Sequence, residues 1–154
     1  MMGCNFLDVV PNDAPSLDTA FSNRAMAEKF LRTCYNYLPD PLNGSYYPTW
    51  FTSRDEFDLN LGALAVSRES YSAKICVGEQ NTNSPYLDYW SGNKGGKALY
   101  QGIRYCNMFL ENIDKPYDLE EEEKIRWIAE VKFLKAYYHF FLMELYGPIV
   151  LVDE

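Results

Sequence analysis

The segment from Asp118 to Tyr146 constrains the fold more than any other part of the chain. Asp118 suits the N-cap position of a helix, and Glu121 follows it at the spacing of a capping box. Five of the six residues at 118–123 are acidic, which favours the positive end of a helix dipole. No glycine or proline interrupts the segment before the Gly-Pro pair at 147–148. The pattern therefore predicts a single helix about 40 Å long.

The second half of this predicted helix is apolar on almost every side. Within residues 133–146, the side chains without apolar character are Lys135, His139 and Glu144. A helix that is apolar all round is normally a buried helix, so we expect other parts of the protein to cover it on several faces. These three residues, together with Lys132, interrupt the apolar run and exclude a transmembrane span.

Two other segments show helical periodicity. A first helix is predicted to begin at Ser16 or Asp18 and to run to about Leu38. A second is predicted at 98–113, where Gly102 in mid-helix indicates a close contact with another helix. Since four residues separate the second helix from the long one, we expect an antiparallel hairpin. The apolar positions are Leu17, Phe21, Ala25 or Ala27, Leu31, Cys34 and Leu38 in the first helix, and Leu99, Ile103, Cys106, Leu110 and Ile113 in the second.

Residues 45–97 lack clear helical periodicity but are rich in aromatic side chains, which disfavours disorder. Aromatic rings stack on the apolar faces of sugars, while Arg, Asn and Asp hydrogen-bond sugar hydroxyls. We therefore predict a ligand-binding loop region. For Trp90 we favour packing against the second helix over ligand stacking, whereas for Trp50 the two roles are equally supported. The candidate ligand contacts are Tyr46, Tyr47, Trp50, Arg54 and Asp55 in one group, and Asn81, Trp90 and Asn93 in another.

Charge and residue types exclude several classes of function. The net charge of −8 argues against a nucleic-acid partner. The chain has one histidine and no CxxC pair, so we expect neither a metal site nor a cofactor. His139 has no carboxylate one turn away and is expected to line a core or a groove rather than act as a base. Because no nucleophile elbow, P-loop or dinucleotide fingerprint is present, we do not expect an enzyme.

Two of the four cysteines, Cys34 and Cys106, fall on the apolar stripes of predicted helices. A free cysteine in such a position packs as a small hydrophobic residue. We therefore expect two buried thiols there rather than a disulfide between them.

Three stretches carry a resemblance to a known family: GCNFLDVVP near the start, ALYQGIRYCNMFLENID in the second predicted helix, and FLKAYYHFFLMELYGPIVLVDE in the long one. Together they resemble the SusD/RagB family of nutrient-binding surface lipoproteins of Bacteroidota. The resemblance implies an all-α fold, with a tetratricopeptide-like helical hairpin beside the long aromatic-rich loop region. It implies a lipoprotein N-terminus and tether at 1–15. Residues 16–154 would then form an N-terminal helical domain that is incomplete at its C-terminal end.

The resemblance also implies a binding function. Gly3 and Cys4 match the last two positions of a lipobox, so Cys4 is expected to carry the lipid that anchors the protein in the outer membrane, at the cell surface. The implied task is to capture a glycan and deliver it to a SusC-like TonB-dependent transporter. Two alternatives are peptide capture, as in RagB-like members, and a helical-repeat scaffold that binds another protein.

Overall fold

The computed structural model describes residues 16–39, 78–79, 81–86, 88–93 and 96–153. Within these ranges all regular secondary structure is helical, which confirms the predicted all-α class. The helices are α1 (Leu17–Ala20), α2 (Arg24–Tyr35), α3 (Leu99–Asn112) and α4 (Glu121–Tyr146).

The predicted first helix is in fact two helices. Ser16 caps the single turn of α1. The side chain of Asn23 then accepts the backbone N–H of Met26 at 3.1 Å and caps the start of α2. An asparagine that caps a new helix has an extended backbone, which ends the preceding one. The prediction of one continuous helix to about Leu38 is therefore wrong at residues 21–23.

The long helix begins three residues later than predicted. α4 starts at Glu121, and no side chain caps this end, so the predicted capping box with Asp118 is wrong. Instead, the Asp118 carboxylate accepts the backbone N–H of Arg24 at 2.6 Å, at the start of α2. Arg24 also forms a two-point ion pair with Glu123 and lies over the ring of Trp127. Contacts between distant parts of the chain thus fix both helix starts.

Helices α3 and α4 form the predicted antiparallel hairpin. Lys124, near the start of α4, pairs with Asp114, just beyond the end of α3. At the opposite end, the Tyr100 hydroxyl in α3 donates to the backbone carbonyl of Val150, beyond the end of α4. A hairpin of this kind is also the unit of tetratricopeptide repeats. That finer likeness stays a prediction.

The core lies where α2, α3 and α4 meet. Tyr138 is fully buried there, and its hydroxyl donates to the backbone carbonyl of Cys34, near the end of α2. Since the Arg24–Glu123 pair joins the starts of the same two helices, α2 runs parallel to α4. Cys34 and Cys106 are buried free thiols, as predicted. The other buried apolar residues are Phe21, Ala27, Leu31, Leu99, Ile103, Phe109, Ile113, Trp127, Val131, Leu134, Phe141 and Leu142.

Gly102 marks a close contact, as its place in mid-helix predicts. A Cβ atom added there would lie 2.8 Å from Cβ of Tyr37 and 3.1 Å from Cε2 of Tyr138. The side chains that follow α2 and those of α4 therefore rest directly against the backbone of α3. A glycine is required here by the short distance between the elements and not by its backbone angles.

The described residues do not cover α4 on every side. Ile125, Phe133, Phe140 and Met143 are 50–66 % exposed. The predicted cover of α4 on several faces is present where α2 and α3 pack against it. The face that carries these four residues is not covered by the part of the chain that the structure describes. Among the residues that the structure describes, no helix has the length and apolar content needed to cross a membrane.

Candidate functional site

A cavity of about 430 Å³ lies between residues 81–86 and 88–91 on one side and the end of α4 on the other. Its volume falls within the range of small-molecule sites. It combines aromatic rings with amide, hydroxyl and carboxyl groups, which is the mixture of side chains expected of a glycan site. The lining residues are Asn81, Thr82, Pro85, Asp88, Trp90, Ser91 and Tyr146.

The loop at 88–93 is folded around the carboxylate of Asp88. One carboxylate oxygen accepts the backbone N–H groups of Trp90 at 2.9 Å and Ser91 at 2.8 Å, and the other accepts the side-chain amide of Asn93 at 3.2 Å. Asp88 is only 7 % exposed, and three donors stabilise its buried charge. The carboxylate therefore shapes the loop from inside.

Two glycines allow this loop to fold so tightly. Gly92 has a φ of +83°, a backbone conformation that residues with a side chain rarely adopt. Its N–H donates to the backbone carbonyl of Asp88 at 3.0 Å. A Cβ atom on Gly96 would lie 2.1 Å from that same carbonyl oxygen. Side chains at these two positions would force the loop open, so the loop depends on both glycines.

The indole of Trp90 is held edge-on by two tyrosines. Its ring centroid lies 4.7 Å from that of Tyr100 in α3 and 5.7 Å from that of Tyr146 in α4, with interplanar angles of 63° and 87°. Such edge-to-face contacts are favourable for aromatic rings. Trp90 nevertheless remains 45 % exposed beside the cavity. The predicted packing against the second helix is present, and it leaves ring surface open to a ligand.

The loop is joined to α4 through Tyr146, the last residue of that helix. The Tyr146 hydroxyl accepts the backbone N–H of Tyr89 at 3.0 Å. Burial raises the pKa of Tyr146, so its hydroxyl is neutral at physiological pH. The ring of Tyr89 packs edge-on against Phe141 at 5.0 Å, which adds a second contact between the loop and α4.

Comparison with known families gives a match over residues 5–154, nearly the whole chain. The matching SusD-like family is described as starch-binding and associating with the outer membrane. The chain belongs to the SusD-like family. The resemblance noted in the sequence is thereby confirmed at the level of the family. Neither a curated protein nor a solved structure matches the chain significantly.

The structure of this SusD-like chain brings together part of the predicted contact set. Asn81 and Trp90 line the cavity. Asn93 is not among the lining residues, and its amide instead supports the loop through Asp88. Cys4 and the first predicted group, Tyr46, Tyr47, Trp50, Arg54 and Asp55, lie outside the described residues.

The polar groups of the cavity differ in how free they are to bind a ligand. The side-chain oxygen of Asn81 accepts the backbone N–H groups of Asn83 and Ser84. Its side-chain nitrogen donates one hydrogen to the backbone carbonyl of Glu79, which leaves one amide hydrogen for a ligand. The hydroxyls of Thr82 and Ser91 make no hydrogen bond to another described residue. They are therefore the more available donors and acceptors for a ligand.

Sequence reasoning missed Asp88 and Tyr146 as site residues. A signal for Asp88 exists, because an aspartate followed closely by Ser, Gly and Asn is typical of a tight turn. No local signal distinguishes Tyr146 from the other tyrosines of a chain that contains thirteen. Only the packing of α4 beside the loop brings it to the cavity.

His139 has a structural role in this SusD-like chain. Its Nε2 accepts the backbone N–H of Val152 at 3.2 Å, so Nδ1 carries the hydrogen and donates to the carbonyl of Lys135 at 2.9 Å. Both ring nitrogens are therefore engaged, as expected of a core or groove histidine. Within the described ranges, no group of three His, Cys, Asp or Glu side chains could hold a metal ion.

Proposed function

We propose that this SusD-like protein binds a glycan in the cavity beside Trp90 and acts as a binding protein, not as an enzyme. The partly exposed indole of Trp90, held at the cavity by Tyr100 and Tyr146, carries the proposal. The apolar face of a sugar ring stacks on such an indole, and the gain comes from the burial of two apolar faces. The family's description as starch-binding supports a glycan as the ligand.

The polar residues of the cavity complete this site. Thr82 and Ser91 offer hydroxyls, and Asn81 offers its remaining amide hydrogen, to the hydroxyl groups of the sugar. Tyr46, Tyr47, Trp50, Arg54 and Asp55 are proposed to extend the contact surface, on the strength of their residue types alone.

Replacement of Trp90 by alanine tests the proposal directly. The probe is maltoheptaose, a soluble fragment of starch, and the readout is isothermal titration calorimetry. Loss of the stacking ring should weaken binding roughly 5- to 30-fold, as expected for about 1–2 kcal/mol. Tyr117→Ala is a matched control, because Tyr117 is an aromatic residue that is 86 % exposed on the α3–α4 connection.

The outcomes separate glycan binding from its alternatives. Equal affinity of Trp90→Ala and wild type for maltoheptaose would contradict a site at Trp90. If the wild type binds no soluble glycan but binds a tryptic digest of casein, the ligand class is peptide instead. Binding of neither, together with stable association with another folded protein, would favour the scaffold alternative.

We also propose that the protein is a surface lipoprotein of the outer membrane that passes its glycan to a SusC-like TonB-dependent transporter. The lipobox-like pair of Gly3 and Cys4 and the family's association with the outer membrane support this. In this proposal, residues 1–15 are the lipidated tether and residues 16–154 belong to the helical domain.

Expression behind a lipoprotein signal peptide tests the anchor. Wild-type protein should fractionate with the outer membrane and incorporate radiolabelled fatty acid, and Cys4→Ser should be released in soluble form. If both versions fractionate alike, Cys4 is not the anchor. Co-purification of the wild type with a SusC-like transporter tests the delivery step separately.

A further inference from the structure

We infer that Tyr146 is the positioning residue that fixes Trp90 for ligand stacking. This inference rests on the proposed function for its purpose, although the positioning itself can be measured without a ligand. Tyr146 lines the cavity, contacts the Trp90 ring edge-on at 5.7 Å and accepts the backbone N–H of Tyr89. One side chain therefore touches both the Trp90 ring and the backbone of the residue before it.

The internal hydrogen bonds of the loop do not explain where the loop sits. All three bonds to the carboxylate of Asp88 come from within residues 88–93. They fix the shape of the loop, yet a loop of fixed shape can still move as a unit relative to the helices. Contacts with α3 and α4 must hold it in place.

Tyr89 provides that attachment because both of its backbone polar groups bond to the helices. Its carbonyl accepts the N–H of Leu99, the first residue of α3, at 3.0 Å. Its N–H donates to the hydroxyl of Tyr146, the last residue of α4, at 3.0 Å. The residue directly before Trp90 is thus clamped between the two arms of the hairpin.

The position of Tyr146 makes it a rigid support. It ends α4, whose preceding turns are anchored in the core by the buried side chains of Tyr138, Phe141 and Leu142. A site residue held by a helix is placed more accurately than one held by a loop. The hydroxyl of Tyr146 therefore fixes the position of Trp90 relative to the protein core.

Tyr100 offers a matched comparison. Its ring also meets Trp90 edge-on, at 4.7 Å, but its hydroxyl donates to the carbonyl of Val150 and not to the loop. Tyr100→Phe and Tyr146→Phe each keep a ring against the indole and remove one hydroxyl. Only the second removes a bond to the backbone beside Trp90.

The test uses the full chain labelled with 5-fluorotryptophan, and the Trp90 resonance is assigned through Trp90→Phe. Without ligand, Tyr146→Phe should shift or broaden the fluorine resonance of Trp90. It should also increase the acrylamide quenching of the part of the tryptophan fluorescence that Trp90→Phe removes. Tyr100→Phe should leave both close to wild type. Titration with maltoheptaose should show an affinity loss of roughly three- to tenfold for Tyr146→Phe, as expected for one hydrogen bond, and less than twofold for Tyr100→Phe.

The results distinguish this inference from the proposed function. An unchanged Trp90 resonance and affinity in Tyr146→Phe, or equal changes in the two variants, overturns the positioning role. If only Tyr146→Phe alters the Trp90 resonance while the wild type binds no glycan, the positioning stands and the glycan proposal fails. Thermal melts by circular dichroism verify that both variants are folded.

Discussion

Replacement of Gly102 by alanine should have two effects of opposite sign on the stability of the protein. In an exposed helix interior, a change from glycine to alanine stabilises by about 1 kcal/mol. At this buried position in α3, however, the new Cβ would lie 2.8 Å and 2.9 Å from Cβ and Cγ of Tyr37, and 3.1 Å from Cε2 of Tyr138. Optimal carbon–carbon separations are about 3.5–4.0 Å, so the helix or its neighbours must move by several tenths of an ångström.

Neither neighbour can move easily. Tyr138 is fully buried, and its hydroxyl is bonded to the carbonyl of Cys34. Tyr37 meets the new methyl group with the base of its side chain, and its ring packs against Tyr105 at 5.6 Å. Overpacking a core costs about 1–3 kcal/mol, and two overlapped neighbours place Gly102 in the upper half of that range. With the helix-propensity gain subtracted, Gly102→Ala should lower the free energy of unfolding by about 1–2 kcal/mol.

Guanidinium titration followed by circular dichroism measures this difference. Gln101→Ala is the matched control, because Gln101 is an exposed neighbour in the same helix and its substitution changes helix propensity alone. Its free energy of unfolding should change by less than about 0.5 kcal/mol. A Gly102→Ala protein more stable than wild type would contradict the close contact of α3 with Tyr37 and Tyr138.

Four other substitutions test the core and the helix starts. Ile103→Ala empties a fully buried position and should cost about 2–5 kcal/mol in the same titration, whereas Leu110→Ala, at a half-buried position, should cost less. Asp118→Ala removes the acceptor for the Arg24 N–H and should cost about 0.5–2 kcal/mol, with faster amide exchange at the start of α2; unchanged exchange would contradict the cap. The hydrogen bond from Arg24 lowers the pKa of Glu123, so their pair stabilises the fold above the ordinary glutamate pKa near 4.5 and is lost as the pH falls through the lowered value. Glu123→Gln removes the titrating carboxyl group, so its melting temperature should fall less in acid than that of the wild type. If both proteins show the same pH profile, the Arg24–Glu123 pair is not a source of the acid sensitivity.

Local periodicity predicted the elements whose ends depend on local sequence. Helix α3 was predicted at 98–113 and is observed at Leu99–Asn112, and the end of α4 at Tyr146 coincides with the glycine-proline signal. The predicted start of α4 is wrong because Asp118, a good N-cap residue in isolation, instead accepts the backbone N–H of Arg24 at the start of α2. Its partner lies 94 residues away along the chain, so no local pattern contains that contact.

The candidate site was predictable in its residue types and less so in its geometry. Aromatic and amide content indicated Trp90 and Asn81, both of which line the cavity. The same reasoning assigned Asn93 to the ligand, although its amide is held by Asp88 inside the loop. Composition shows which side chains can contact a sugar, but only the tertiary structure shows which of them are already occupied. Tyr146 comes to the cavity through helix packing alone.

The pairing of α2 with α4 sets an order of events during synthesis. The bond from Tyr138 to the carbonyl of Cys34 joins residues 104 positions apart. At about 5–20 residues per second, a ribosome needs roughly 5–20 s to make that stretch, so the contacts of α2 with α4 form at least that long after α2 itself is made. The α3–α4 hairpin, with its short connection, can close first, and α2 then docks onto it. The core around Tyr138 therefore cannot be completed before α4 has been made, however early α2 and α3 leave the ribosome.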